Sequence, residues 1–174
     1  MKDAHTRRLC LFMVLLLNGG ALSALALTEG DYTYTVANGQ ATITGFPTSY
    51  EGTLSIASQL GGFPVTGIGG TAFYKCGSLT RVTIPSGVTS IGYCAFMGCS
   101  SMTEIVVPAS VSNISAYAFL SCKALVCALF QGNAPDVQPT SFSDTASTVY
   151  YFQDATDWGT TFAGRPTAML TFTY

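Results

Sequence analysis

Apolar and polar positions alternate in short stretches of this chain. Val82 and Ile84 flank Thr83, Ile105 and Val107 flank Val106, and Ala128 and Phe130 flank Leu129. A period of two is the signature of a short strand with one face turned to a core. Pro85 and Pro108 close the first two stretches, and the stretches recur at intervals of 23 residues. Phe73, Phe96 and Phe119 keep the same interval, as do Cys76, Cys99 and Cys122. A fourth copy keeps the frame, with Phe142 for the aromatic, Thr145 for the cysteine and Val149-Tyr150-Tyr151-Phe152 for the strand. A repeat of this length marks coils that cannot bury an apolar face alone and must share one core with their neighbours. The strands are therefore expected side by side as a parallel ladder about 4.8 Å apart. The Phe and Cys rows become columns of the core. The Ala-Phe stretches are too short for a full helix and read as a tight turn or a single helical turn.

The flanks break this period. Tyr32 to Val36 and Ala41 to Thr44 alternate on either side of Asn38-Gly39, a dipeptide that tolerates positive φ and so signals a hairpin. It reads as a cap over the first coil. Leu54 and Ile56 sit in the phase of Val82 and Ile84, with Gly61-Gly62-Phe63-Pro64 expected as a loop that absorbs extra length. The third copy decays after Phe130 into Gly132-Asn133-Ala134-Pro135. Trp158, Phe162, Arg165 and Pro166 read as cover for the last coil. The expected division is a signal peptide over 1–26, a hairpin cap over 27–53, about four coils over 54–152 and a C-terminal cap over 153–174. The signal-peptide reading rests on order: Lys2, Arg7 and Arg8, then the apolar run Leu9 to Leu17, then Ala24-Leu25-Ala26 as a small-x-small cleavage site. That run is too short to cross about 30 Å of hydrocarbon. The mature chain is thus expected to be secreted or at the cell surface, without membrane insertion.

Charge narrows the function. Beyond Ala26 the cations are Lys75, Arg81, Lys123 and Arg165, against Glu29, Asp31, Glu51, Glu104, Asp136, Asp144, Asp154 and Asp157, so 4 − 8 gives a net charge of −4. So few cations exclude the electrostatic footprint of nucleic-acid binding. His5, the one histidine, lies in the signal segment, which removes Ser-His-Asp and Cys-His nucleophile systems and the usual histidine-containing zinc sites. No cofactor or metal is expected. One thiol per coil draws a line, not a tetrahedron. Export permits disulfides, yet buried thiols packing beside the Phe column are the preferred reading. Five cysteines follow Ala26, an odd number, so at least one stays free or pairs between molecules. Asp154 and Asp157, three residues apart, read as turn or capping residues rather than a glycosidase pair.

The combination Ala-Phe-x-x-Cys-x-x-Leu, Val-x-Ile-Pro and Val-x-x-Ile-Gly resembles the BspA-like, or Treponema pallidum type, leucine-rich repeats over roughly residues 54 to 152. Met102 stands where that pattern has Leu, and the third copy lacks its Pro. The resemblance implies a curved right-handed solenoid, exported or surface-exposed, in a family associated with adhesion and protein or matrix binding. Arg81, Glu104 and Cys127 share one phase of the outward strand face, and Thr83, Val106 and Leu129 another. These six residues form the expected contact surface for a protein or glycan ligand, with exposed Val106 and Leu129 carrying it better than an Arg81–Glu104 pair that neutralises itself. A non-enzymatic binding or adhesion module is the first expectation. A structural component that self-associates through coil ends or free cysteines is the second.

Overall fold

A computed structural model describes residues 25–171. The expected signal peptide over 1–26, apart from Leu25 and Ala26, lies outside the described residues. The described chain is built of strands: β1 (Leu27–Glu29), β2 (Tyr32–Ala37), β3 (Gln40–Gly45), β4 (Gly52–Ser55), β5 (Gln59–Leu60), β6 (Phe63–Ile68), β7 (Leu79–Thr83), β8 (Ser90–Ile91), β9 (Glu104–Val107), β10 (Asn113–Ile114), β11 (Cys127–Phe130), β12 (Asp136–Val137), β13 (Thr148–Phe152), β14 (Thr161–Phe162) and β15 (Arg165–Leu170). Among the described residues there is no helix. The chain winds as a β-solenoid with two sheets. One runs β1-β2-β3-β6-β8-β10-β12 with β5 beside β6, the other β14-β15-β13-β11-β9-β7-β4.

Strand alternation sets the register of the second sheet. Leu54, Val82, Ile105, Ala128 and Val149 align across five parallel strands, and each is at most 5% exposed. A slip of one residue would turn this whole row to solvent, so the buried face holds the register. The first sheet is narrower, with Ile68, Ile91, Ile114 and Val137 aligned at its inner side. Gly92 explains the Ile-Gly pair: a Cβ there would lie 2.7 Å from the backbone of Gly69 and Gly70, so only glycine lets adjacent coils approach so closely.

Tight turns close the coils on the third side. Phe73, Phe96 and Phe119 each donate their N–H to the next coil, to the carbonyls of Ala95, Ala118 and Ser141, all at 2.8 Å. Each turn needs left-handed backbone at fixed phases. Thr71, Cys94 and Tyr117 have φ of 58°, 54° and 60°, while Lys75, Gly98, Ser121 and Asp144 have 58°, 77°, 58° and 54°. Only Gly98 adopts this conformation without a steric cost, elsewhere about 1–2 kcal/mol per residue. The stacked backbone bonds hold it in place.

Phe73, Phe96, Phe119 and Phe142 are fully buried, with ring centroids 4.9, 5.5 and 4.7 Å apart and nearly parallel planes. Phe46 continues the row at one end, 5.1 Å from Phe73, and Phe162 at the other, 6.2 Å from Phe142. Asn38 and Gly39 turn the β2–β3 hairpin with φ of 52° and 74°, and β3 runs parallel to β6.

Four expectations change. The Gly61-Gly62-Phe63-Pro64 stretch is not an open loop: the two glycines, with φ of 60° and 82°, turn a β5–β6 hairpin. The third copy keeps its second strand, because Val137 pairs in register with Ile114. The fourth copy is shorter, since Ala128 aligns with Val149, 21 residues on, while Phe142 holds the 23-residue phase. The parallel ladder also runs past residue 152, because β15 pairs with β13.

Candidate ligand-contact face

The outward side of the second sheet carries two rows. Arg81, Glu104, Cys127 and Thr148 align across β7, β9, β11 and β13, and beside them Thr83, Val106, Leu129 and Tyr150. Arg81 is exposed and the other five expected contact residues are partly exposed. The structure thus brings all six onto one continuous face. Arg81 grips Glu104: its Nη2 lies 2.9 Å and its Nε 3.0 Å from the same Oε2. Two donors on one oxygen fix the pair across adjacent coils, and the charges cancel locally.

Cys127 sits beside that pair. Burial pushes its thiol pKa up and the Glu104 carboxylate adds to this, with Arg81 pulling the other way. The thiol therefore stays protonated near neutral pH and is a poor nucleophile. Among the described residues no three His, Cys, Asp or Glu side chains gather as a metal site, and no helix is long and apolar enough to cross a membrane. Asp157, at φ 68°, accepts a hydrogen bond from the Thr156 hydroxyl at 2.8 Å, a turn arrangement. Asp154 instead lines an open cleft with Gln131 and Asn133.

Hydroxyl ties between coils occur beside both sheets, and next to the second the Thr103 hydroxyl donates to the Thr80 carbonyl at 3.0 Å. Beside the first, the Thr89 hydroxyl donates to the Thr66 carbonyl at 3.1 Å and the Ser112 hydroxyl to the Thr89 carbonyl at 3.3 Å, so these side chains tie coil to coil. The second sheet is set apart by its partly exposed apolar pair, Val106 and Leu129.

Cys76, Cys99 and Cys122 are fully buried, and the five described cysteines are free thiols. Their column does more than fill space. Cys99 Sγ donates to the Phe73 carbonyl at 3.2 Å and Cys122 Sγ to the Phe96 carbonyl at 3.1 Å, each reaching one coil back. Sequence reasoning missed this bond; the cue was the fixed offset between Cys and the preceding Phe.

The family model of the BspA type leucine rich repeat region matches residues 62–158, in six copies. The chain belongs to this family. A leucine-rich repeat protein from Bacteroides capillosus is similar to this BspA-type chain at 31% identity, with a TM-score of 0.62 over 72% of this chain and 97% of that one. The T. pallidum leucine rich repeat protein shares the fold at 21% identity and a TM-score of 0.56, over 72% and 71% of the two chains. A leucine rich cell surface protein from Faecalibacterium prausnitzii is similar at 21% identity and a TM-score of 0.52, over 75% of this chain and 49% of its own. No curated protein matches.

Proposed function

We propose that the chain is an exported, non-enzymatic binding module that presents the outer face of its second sheet to a protein or glycan at the cell surface. The observation that carries this reading is the pair of aligned rows, in which the apolar side chains of Val106 and Leu129 stand partly exposed side by side on a rigid ladder. Membership of the BspA type supports a protein-binding role, and the similar F. prausnitzii cell surface protein supports the location. On this reading the β2–β3 hairpin and the segment from Trp158 onward cap the stack, the leader is removed near Ala26, and no cofactor takes part.

Panels of immobilised matrix proteins and glycans test it. A genuine ligand should lose binding about tenfold or more when Val106→Glu and Leu129→Glu are combined, the scale of a central apolar anchor, and lose little with Thr89→Glu on the other sheet. Equal losses from both faces, or no ligand in the panels, would reject the strand face. Sequencing the N-terminus of the exported protein checks cleavage after Ala26.

A further inference from the structure

Each end of the second sheet leaves a stretch of strand edge free, the whole outer edge of β4 at one end and the last residues of β15 beyond β14 at the other. β4 pairs only with β7 among the described residues. Gly52 donates its N–H to the Ser78 carbonyl and Ile56 to the Thr83 carbonyl, both at 3.0 Å, so the even positions face β7. In a parallel ladder alternate residues point their backbone groups to opposite neighbours. The N–H and C=O groups of Thr53 and Ser55 therefore face outward, and the Thr53 carbonyl meets only the Tyr50 hydroxyl, at 3.2 Å. The hairpin β2–β3 extends the first sheet and leaves this edge of the second uncovered.

At the far end, β15 is half covered. Thr161 and Phe162 of β14 pair with Pro166 and Arg165, and Thr167 donates its N–H to the Thr160 carbonyl. Leu170 accepts from the Gln153 N–H, so Ala168 and Leu170 turn toward β13 and Met169 turns its backbone away. Met169 aligns with Tyr151 and, through it, with buried Phe130 and Val107. It has core-side parity, yet it is 53% exposed.

We propose that the chain assembles head to tail, with β15 of one copy adding in parallel to β4 of the next. Met169 then seats between Thr53 and Ser55: its N–H donates to the Thr53 carbonyl, and its carbonyl accepts from the Ser55 N–H. Both strands run the same way, so the junction repeats the solenoid's own ladder, and Met169 lands beside Leu54 on the core side. The two surfaces differ, so the contact is heterologous and forms an open chain rather than a closed dimer. This assembly is independent of the strand-face ligand.

Sedimentation of the protein as recovered after export, in reductant, tests the proposal. The average mass should climb with concentration past the dimer value. Ser55→Pro deletes the outward N–H without touching a ladder bond, and Met169→Lys charges the exposed end. Each variant should remain monomeric at concentrations where the parent associates, with an unchanged circular dichroism spectrum; if one misfolds, the other decides. A monomeric parent at every concentration, association that reductant abolishes, or association that survives both substitutions would each overturn it.

Discussion

The phenylalanine and thiol columns share one spacing and one degree of burial, yet they join the coils by different physics. The rings stack face to face through the centre of the molecule, and where the period fails they still pack: Phe162 meets Phe142 at 63° instead of near-parallel. Apolar contact tolerates such a change of angle. The thiols depend on reach. Each carbonyl of Phe73 and Phe96 takes both the backbone N–H of its own turn's cysteine, at 3.2 Å, and the S–H of the next coil. Thr145, with a shorter side chain, bonds the carbonyl of Phe142 in its own turn at 2.9 Å, so the side-chain tie to the coil before is lost. Ring stacking gives stability that survives irregularity, while the thiols keep regular coils in step.

The largest test of that contrast is Phe96→Ala. A ring stacked on both sides leaves a cavity that neighbours cannot fill, and denaturant unfolding should show a loss of about 3–5 kcal/mol. Cys99→Ala should cost less, about 0.5–1.5 kcal/mol for the inter-coil bond together with the lost sulfur volume. Cys127→Ala, on the outer face, should stay within about 0.5 kcal/mol of the parent. Equal effects at 99 and 127 would show that the S–H bond contributes nothing.

Alkali separates the columns in another way. Burial pushes the Cys76 thiol from 9.0 up to about 11, and Cys99 is also pushed up, first by the Cys122 thiol beside it and then by burial. Unfolded thiols lose their protons near the lower value while the native ones keep them. The native state then binds more protons, so stability present below pH 9.0 should fall as pH rises toward about 11. Unfolding midpoints measured across that window should fall less steeply for Cys76→Ala, whereas Phe96→Ala should leave the slope unchanged. Another small effect lies outside both columns. A double-mutant cycle on Arg81 and Glu104 should return a coupling of about 0.2–1 kcal/mol, shrinking with salt, as for exposed pairs.

Much of this architecture was legible in the chain. Phe73, Phe96 and Phe119 announced the period, the Val-x-Ile alternation announced the strands, and Asn38-Gly39 announced the hairpin. What escaped notice was short or chemically silent. Asp136–Val137 is two residues long and follows Pro135, too little to show a period. The strand at β15 begins at Arg165-Pro166, a dipeptide that argues against a ladder until β14 is seen to cover it. Lys75 and Ser121 carry no sign of a left-handed backbone; only Gly98, in the same row, does. The candidate contact face was readable as a phase, because Arg81 and Glu104 differ by one period. The hydroxyl ties between coils were not, since threonines bonded to a neighbouring coil look like threonines in water.

The close passage at Gly92 has an evolutionary corollary. Since the central windings dock through one recurring set of partners, a tandem duplication of a single 23-residue unit in the gene, such as Phe73 to Ala95, would insert a winding whose upper and lower surfaces already fit. The same duplication beginning after Thr145 would carry the shortened spacing and misalign everything downstream. Growth by copying is therefore open to the middle of this molecule and closed near its C-terminal end.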